Sequence, residues 1–287
     1  MKGIVLAGGK GTRLHPLTAS ISKQLMPIYD KPMIYYPIST LIEAGIREIL
    51  IISTPADLPL FQRLLGDGTQ WGCTFDYAEQ AKPKGLADAF LIGESFIDQS
   101  PVVLILGDNL FHGASMSILL ERLENRSGGH IFAYKVKDPQ RYGVVHFDNQ
   151  KTILSIEEKQ THPKSFYAIP GIYFYDASVV KKAKALTPSV RGELEITDIN
   201  RAYLEEGTLE VSPLDAGVAW LDTGTVESLM EASQYVRALQ ERQGVLVGSP
   251  EMAAFTSGAI DKHQLQHLAR QLGETSYGKS IVTFSKQ

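Results

Sequence analysis

Gly3-Ile4-Val5-Leu6-Ala7-Gly8-Gly9-Lys10-Gly11-Thr12-Arg13-Leu14 begins as an apolar run and then breaks into a glycine-rich, basic segment. The pattern predicts a strand followed by a loop with cations at its far side. Glycines at 8, 9 and 11 allow positive φ and let bare N–H groups approach an anion that a Cβ would hold off. Such a loop suits phosphate. The spacing excludes the two commonest phosphate loops. A Walker loop needs G-x-x-x-x-G-K-[ST], whereas Lys10 lies between glycines and Thr12 follows Gly11. A dinucleotide fingerprint needs G-x-G-x-x-G, and Leu14 stands where its last glycine belongs. An ordinary strand-turn-helix with surface cations is the bland alternative.

Composition narrows the rest. The chain has 287 residues, 44% hydrophobic and 21% charged, with a formal net charge of −4. This is a globular composition with enough apolar residues for a large core. No basic face stands out beyond Lys181-Lys182-Ala183-Lys184, which reads as a solvated helix face, so nucleic acid is not expected as a partner. Apolar runs are strand-sized and no signal-peptide core is seen, so neither membrane insertion nor export is expected and a cytoplasmic location is. The lone Cys73 excludes an internal disulfide and reads as a small packed residue. His263 and His267 have helical spacing, but Gln264 stands where a zinc-protease motif requires Glu.

Alternation of strands and helices sets the fold class. Strands are predicted at 48–53, 74–78 and 102–106, with helices at 32–44, 58–65, 86–96 and 115–124. Pro32 marks the first helix start and Gly45 its end. That rhythm predicts parallel βαβ units, which bind ligands beyond the carboxyl ends of their strands. From 130 onward the strands come closer together, at 130–136, 144–147, 153–156 and 169–175, and predict a mixed sheet. Helices follow at 177–186 and at 197–206, the latter with Thr197 or Asp198 as N-cap. Short strands at 209–212 and 218–221 precede a long helix at 226–242. Gly244 and Gly248-Ser249-Pro250 mark a boundary. The expected architecture is a catalytic domain over 1–243 with a small helical appendage over 244–287.

Two acids follow apolar runs, in Leu106-Gly107-Asp108-Asn109 and in Trp220-Leu221-Asp222-Thr223-Gly224. A carboxylate at a strand end can ligate a metal, and it can equally form an Asx turn or a helix N-cap. The glycine loop with Pro16-Leu17-Thr18 and Lys23-Gln24-Leu25-Met26-Pro27, together with both acids, resembles the signature of the nucleoside-triphosphate:sugar-1-phosphate nucleotidyltransferases. Within them it is most similar to members that join dTTP to glucose 1-phosphate.

The resemblance implies a Rossmann-like α/β fold with a mixed, mostly parallel sheet flanked by helices, the nucleotide-diphospho-sugar transferase fold. It implies that Asp108 and Asp222 hold Mg²⁺. It also implies nucleotide contacts from Leu6, Gly8, Gly9, Gly11, Thr12, Arg13, Gln24, Gln80, Gly85 and Asp108. Gln80 offers donor and acceptor to a pyrimidine edge, although Ala81, Lys84 and Asp88 depart from the family's usual proline, acid or small residue, and glutamine. Leu106, Asn109, Gly143, Glu158, Lys159, Ile169, Gly171, Tyr173, Arg191 and Trp220 are implied for the sugar phosphate. The catalytic set is then Arg13, Lys23, Asp108, Lys159 and Asp222.

Further implications are a homotetramer built as a dimer of dimers, end-product inhibition, and supply of dTDP-glucose to dTDP-rhamnose and other deoxysugars. The tail departs from the family, with Ser249-Pro250-Glu251 and Ser276-Tyr277-Gly278-Lys279 where Cys-Pro-Glu and Gly-Tyr-Gly-Gln are common. UDP-glucose synthesis and a non-catalytic sugar-nucleotide sensor are the alternatives.

Overall fold

A computed structural model describes residues 1–9, 11–113 and 126–285. The helix expected at 115–124 lies outside the described residues. Strand β1 (Lys2–Leu6) sits centrally and precedes a two-residue β2 (Pro27–Ile28) and β3 (Lys31–Pro32), helix α1 (Tyr35–Glu43) and β4 (Glu48–Ser53). Helix α2 (Leu58–Leu65), β5 (Thr74–Glu79), α3 (Asp88–Ile92), α4 (Glu94–Ile97) and β6 (Val102–Leu106) continue the alternation. β1 pairs in parallel with β4 and β6, and β4 with β5.

The later strands are β7 (Asn109–His112), β8 (Gly129–Lys135), β9 (Gly143–Phe147), β10 (Ile153–Glu158), β11 (Tyr167–Ala168), β12 (Ile172–Tyr175), β13 (Leu209–Pro213) and β14 (Ala219–Asp222). β12 joins β6 and β8 antiparallel, and β11, β9 and β10 extend that side antiparallel. The result is a mixed central sheet in the order β10-β9-β11-β8-β12-β6-β1-β4-β5, with β13 beside β8.

Strand side chains alternate between two apolar faces because the strand period is two residues. Val5, Ile49, Ile51, Val103 and Ile105 pack with α1 and α2 through Ile38, Leu41, Ile42, Phe61 and Leu65. Ile4, Leu50, Ile52, Val102 and Leu104 pack instead with Phe90 of α3 and with Val179, Ala183, Ile199 and Tyr203 of the helices Val179–Ala185 and Ile196–Glu205. Helices therefore cover both faces of the sheet.

Four expectations about element ends need correction, one of them being the strand expected at 169–175, which starts only at Ile172. Pro32 closes the small β2–β3 ribbon and α1 starts only at Tyr35. The helix expected at 86–96 is two short helices meeting at Gly93, where a Cβ would lie 3.1 Å from Ile4 and 3.2 Å from Leu50. The i−4 hydrogen bonds run through Gly93, whose φ of −86° and ψ of 10° turn the chain there, and the missing Cβ lets it sit close on the sheet. The N-cap of Ile196–Glu205 is Glu195, and the hydroxyl of Thr197 donates to Glu158 instead.

The helix Val226–Gln243 starts at a capping box between Thr225 and Ser228 and ends at left-handed Gly244. Helices Pro250–Thr256, Lys262–Gln271 and Ser276–Phe284 follow, the first of them packed on α1. Gly248 lies so close to Tyr36 that a Cβ would sit 2.2 Å from its ring. Buried Lys31 donates to Gln240 Oε1 and to the Val247 carbonyl, both at 3.1 Å. Buried Tyr277 donates to Glu251, which also accepts from Ser249 at 2.9 Å, and its hydroxyl lies 2.7 Å from that of Ser249. The Lys31 bond to Val247 ties the start of the tail to the approach of the first helix, and the Tyr277 cluster holds the tail's own helices together.

Candidate active site

The ends of β1 and β6 lie side by side, so the glycine loop and Gly107-Asp108 leave the sheet together. The Gly107 N–H donates to the Leu6 carbonyl at 2.9 Å. Gln24 donates to the Gly8 carbonyl at 3.3 Å and its own oxygen accepts from Ser22 at 2.7 Å. β7 was not legible as a strand, yet it decides the site. It pairs antiparallel with β14 and places Asp222 opposite Asn109, beside Asp108. Thr223 fixes this meeting by donating its N–H at 3.1 Å and its hydroxyl at 2.8 Å to the Asp108 carbonyl.

A cavity of about 660 Å³ opens over these strand ends. Leu6, Gly8, Gly9, Arg13, Lys23, Gln24, Gln80, Gly85, Leu106, Asp108 and Asn109 line it together with Gly143, Glu158, Lys159, Ile169, Gly171, Tyr173, Arg191, Trp220 and Asp222. Of the residues singled out from the sequence, Gly11 and Thr12 are not on the lining. Gly11 takes a left-handed conformation at the start of the short turn Thr12–Leu14, and Thr18 donates to its carbonyl at 2.8 Å. Their visible part is to shape the loop.

Several lining residues already have partners within the chain. Lys23 forms an ion pair with Asp108, and both side chains are only 13% exposed. Asn109 donates to Asp108 at 3.0 Å, while its oxygen accepts from Trp220 Nε1 at 2.6 Å and from the Gly171 N–H at 3.1 Å. All of these polar atoms of Asn109 and Trp220 are therefore engaged in holding the walls together. Arg191 grips Glu195 with two hydrogen bonds, of 2.7 and 3.2 Å, and lies 3.5 Å from Glu158. Lys159 Nζ is exposed and lies 3.5 Å from Glu158, and its backbone holds a φ of 43°, a region that disfavours side-chain-bearing residues.

The two aspartates are electrostatically linked. Burial raises Asp108, but the charge of Lys23 and hydrogen bonds from Lys23 and Asn109 outweigh it and hold the carboxyl below its ordinary value. Burial first, then the charge of Asp108, push Asp222 up against the opposing pull of Lys23, Arg13 and Arg141. Repulsion between two buried carboxylates is what a bound divalent cation relieves. The oxygen-only pair fits a hard ion, and among the described residues no group of three or more His, Cys, Asp or Glu is arranged for a metal. Water and ligand phosphate would have to complete such a coordination shell.

Among the lining residues that the sequence reading missed are Gln140, Arg141, Thr197 and Asn200. Arg141 directly precedes the Tyr142-Gly143 turn, which was a usable signal. Thr197 and Asn200 are polar residues one helical turn apart beside buried Ile196 and Ile199, and polar side chains on a buried helix face were the other signal. Outside the cavity, His263 and His267 are exposed on the helix Lys262–Gln271 and Cys73 is buried.

The sequence model of the nucleotidyl transferase family matches residues 2–238. The chain belongs to that family. As a nucleotidyltransferase it has full-length relatives. It is 55% identical over 282 residues to the glucose-1-phosphate thymidylyltransferase of Mycolicibacterium smegmatis, covering 98% of each chain. It is 52% identical to that of Mycobacterium tuberculosis, again covering 98% of each. A Bacillus anthracis structure in complex with a sucrose is 40% identical, with a TM-score of 0.77 over 83% of this chain and 95% of that one. A UDP-glucose pyrophosphorylase complexed with UDP-glucose, 24% identical, shares the fold at a TM-score of 0.72 over 83% and 98%.

Proposed function

We propose that this nucleotidyltransferase joins dTTP to glucose 1-phosphate, giving dTDP-glucose and diphosphate in a Mg²⁺-dependent reaction. The observation that carries the reading is one cavity lined both by the glycine loop with Gln80 and by the Glu158-Lys159 turn. The thymidylyltransferases that the chain resembles over nearly its whole length supply the choice of substrates.

A phosphate monoester has its second pKa near about 6, so the sugar phosphate is already largely dianionic at neutral pH and needs no general base. The difficulty lies in bringing two polyanions together in line. Positioning and charge neutralisation then carry the catalysis. Arg13 neutralises the triphosphate and the departing diphosphate. Lys23 exchanges its partner Asp108 for the reacting phosphates, and Lys159 with Arg191 meets the sugar phosphate. Mg²⁺ held by Asp108 and Asp222 supplies charge neutralisation on the phosphate oxygens. The assignment extends to residues 1–243 as the catalytic domain, to 244–287 as an appendage, and to assembly as a homotetramer. No helix among the described residues is long and apolar enough to cross a membrane.

The deciding experiment is a competition of all common nucleoside triphosphates for glucose 1-phosphate with Mg²⁺, reading specificity constants from product masses. dTTP should lead. UTP should follow by roughly 10- to 200-fold, because it differs by one methyl, worth only about 1–3 kcal/mol, and by one ribose hydroxyl, which is rejected weakly unless it clashes. A lead for UTP would favour UDP-glucose synthesis, and no diphosphate release from any triphosphate would favour a sensor.

Lys159 allows a separate check of the sugar-phosphate side. Lys159→Ala should raise the KM for glucose 1-phosphate about tenfold or more and leave kcat within a few-fold, since its charge holds ground state and transition state alike. A drop in kcat at constant KM would instead place Lys159 on the charge that develops during reaction.

A further inference from the structure

Gln80 and Asp88 are both 7% exposed, and their contact is a hydrogen bond from Gln80 Nε2 to Asp88 Oδ2 at 3.0 Å. The same Nε2 also reaches the Gly85 carbonyl at 3.4 Å. A carboxylate and a carbonyl can only accept, so the NH₂ side of the amide must face them. The other side of the amide is Oε1. It abuts the glycine loop, where a Cβ on Gly8 would lie 3.2 Å from it. Gly8, Gln80 and Gly85 all line the cavity.

We propose that Asp88 is a specificity-determining positioning residue, which locks the Gln80 amide so that only its oxygen is offered to the base. Resting on the functional reading above, this names the feature of the nucleotide that is read. Oε1 accepts from an N–H, which thymine and uracil present at N3. Cytosine presents a lone pair at N3 and adenine one at N1, so either would set acceptor against acceptor. Turning the amide over to suit cytosine would aim Oε1 at the Asp88 carboxylate and leave buried groups unpaired. Sites built on a buried hydrogen bond reject the mispaired analogue far more strongly than apolar pockets do. Discrimination against cytosine therefore resides in a residue one contact removed from the base.

The test is Asp88→Asn, assayed with glucose 1-phosphate and either dTTP or dCTP. The introduced asparagine can offer Gln80 either its oxygen or its NH₂, so the stronger of the two constraints on the amide is lifted and only the long 3.4 Å contact to the Gly85 carbonyl still favours the parental orientation. The ratio of dCTP to dTTP specificity constants should rise at least about tenfold, chiefly through KM, with the thermal unfolding midpoint near that of the parent. An unchanged ratio would overturn the proposal, even if both activities fell. The double variant Gln80→Glu, Asp88→Asn is the second arm and carries the test alone if the single variant does not fold. Its new carboxylate accepts from the new amide and offers its second oxygen to the base, so the parental ratio should return. A double variant that admits dCTP as the single one does would also overturn the proposal. Failure of the parent enzyme to use dTTP would instead refute the functional reading, which keeps the two failures distinguishable.

Discussion

Arg13→Ala should lower kcat by two to three orders of magnitude while the KM for glucose 1-phosphate stays within a few-fold. The side chain stands exposed on the short turn Thr12–Leu14, which is anchored by fully buried Leu14 and left-handed Gly11. Its guanidinium lies in the neighbourhood of Asp222, whose charge it stabilises from a distance: a Cβ built on Gly224 would be 2.8 Å from Arg13 Nη2 and 3.2 Å from Asp222 Oδ1. A cation so placed meets negative charge as it grows on the leaving diphosphate, and removing one such donor costs about 3–4 kcal/mol of transition-state stabilisation. Little stability should be lost, since an exposed side chain contributes little to the core. Lysine at this position should recover only part of the rate, as it lacks the planar fork of arginine. Steady-state kinetics with both substrates varied decide the matter. A nearly normal kcat with a raised KM for dTTP would move Arg13 to ground-state binding.

Asp108→Asn should cost about 3 kcal/mol of transition-state stabilisation, on the order of a hundredfold in kcat, and should raise the Mg²⁺ concentration needed for half-maximal rate. Asn keeps the shape and one acceptor but removes a charge that serves two ends. That charge compensates Lys23, which is itself only 13% exposed. Loss of one partner from a buried ion pair leaves the other uncompensated, so the unfolding midpoint should fall as well. The combination is diagnostic. A variant with a parental Mg²⁺ requirement and a depressed midpoint would make Asp108 a partner of Lys23 and nothing more.

Most of the parallel half of the fold was readable because β1, β4 and β6 carry continuous apolar runs bounded by glycine or polar residues, whereas β5 has Asp76 in its middle. The two acids were readable one at a time, each after such a run. Their meeting was not, because it depends on pairing Asn109–His112 with Ala219–Asp222, and a four-residue strand directly after Gly107-Asp108 gives no local signal of its own. Asn109 illustrates the limit most clearly. The resemblance implied a sugar contact for it, and the structure adds what no local pattern shows: its oxygen takes hydrogen bonds from Trp220 and Gly171, residues distant in sequence. Arg191 was legible as a cation but not as one already gripped by Glu195. The sequence shows which groups a chain carries, and tertiary packing decides which of them remain available to a ligand.

The hydrogen bond from Lys31 to the Val247 carbonyl joins residues 216 positions apart, and the helix that packs on α1 begins only at Pro250. During synthesis, every residue lining the cavity, the last being Asp222, is therefore made before the segment that covers α1. Contacts of such long separation form late, because loop closure must come before they can add stability. An emerging chain carries a complete set of catalytic groups above a first helix whose outer face is still bare. That face stays open to other chains until Pro250–Thr256 has been made, after the groups that line the cavity are already in place.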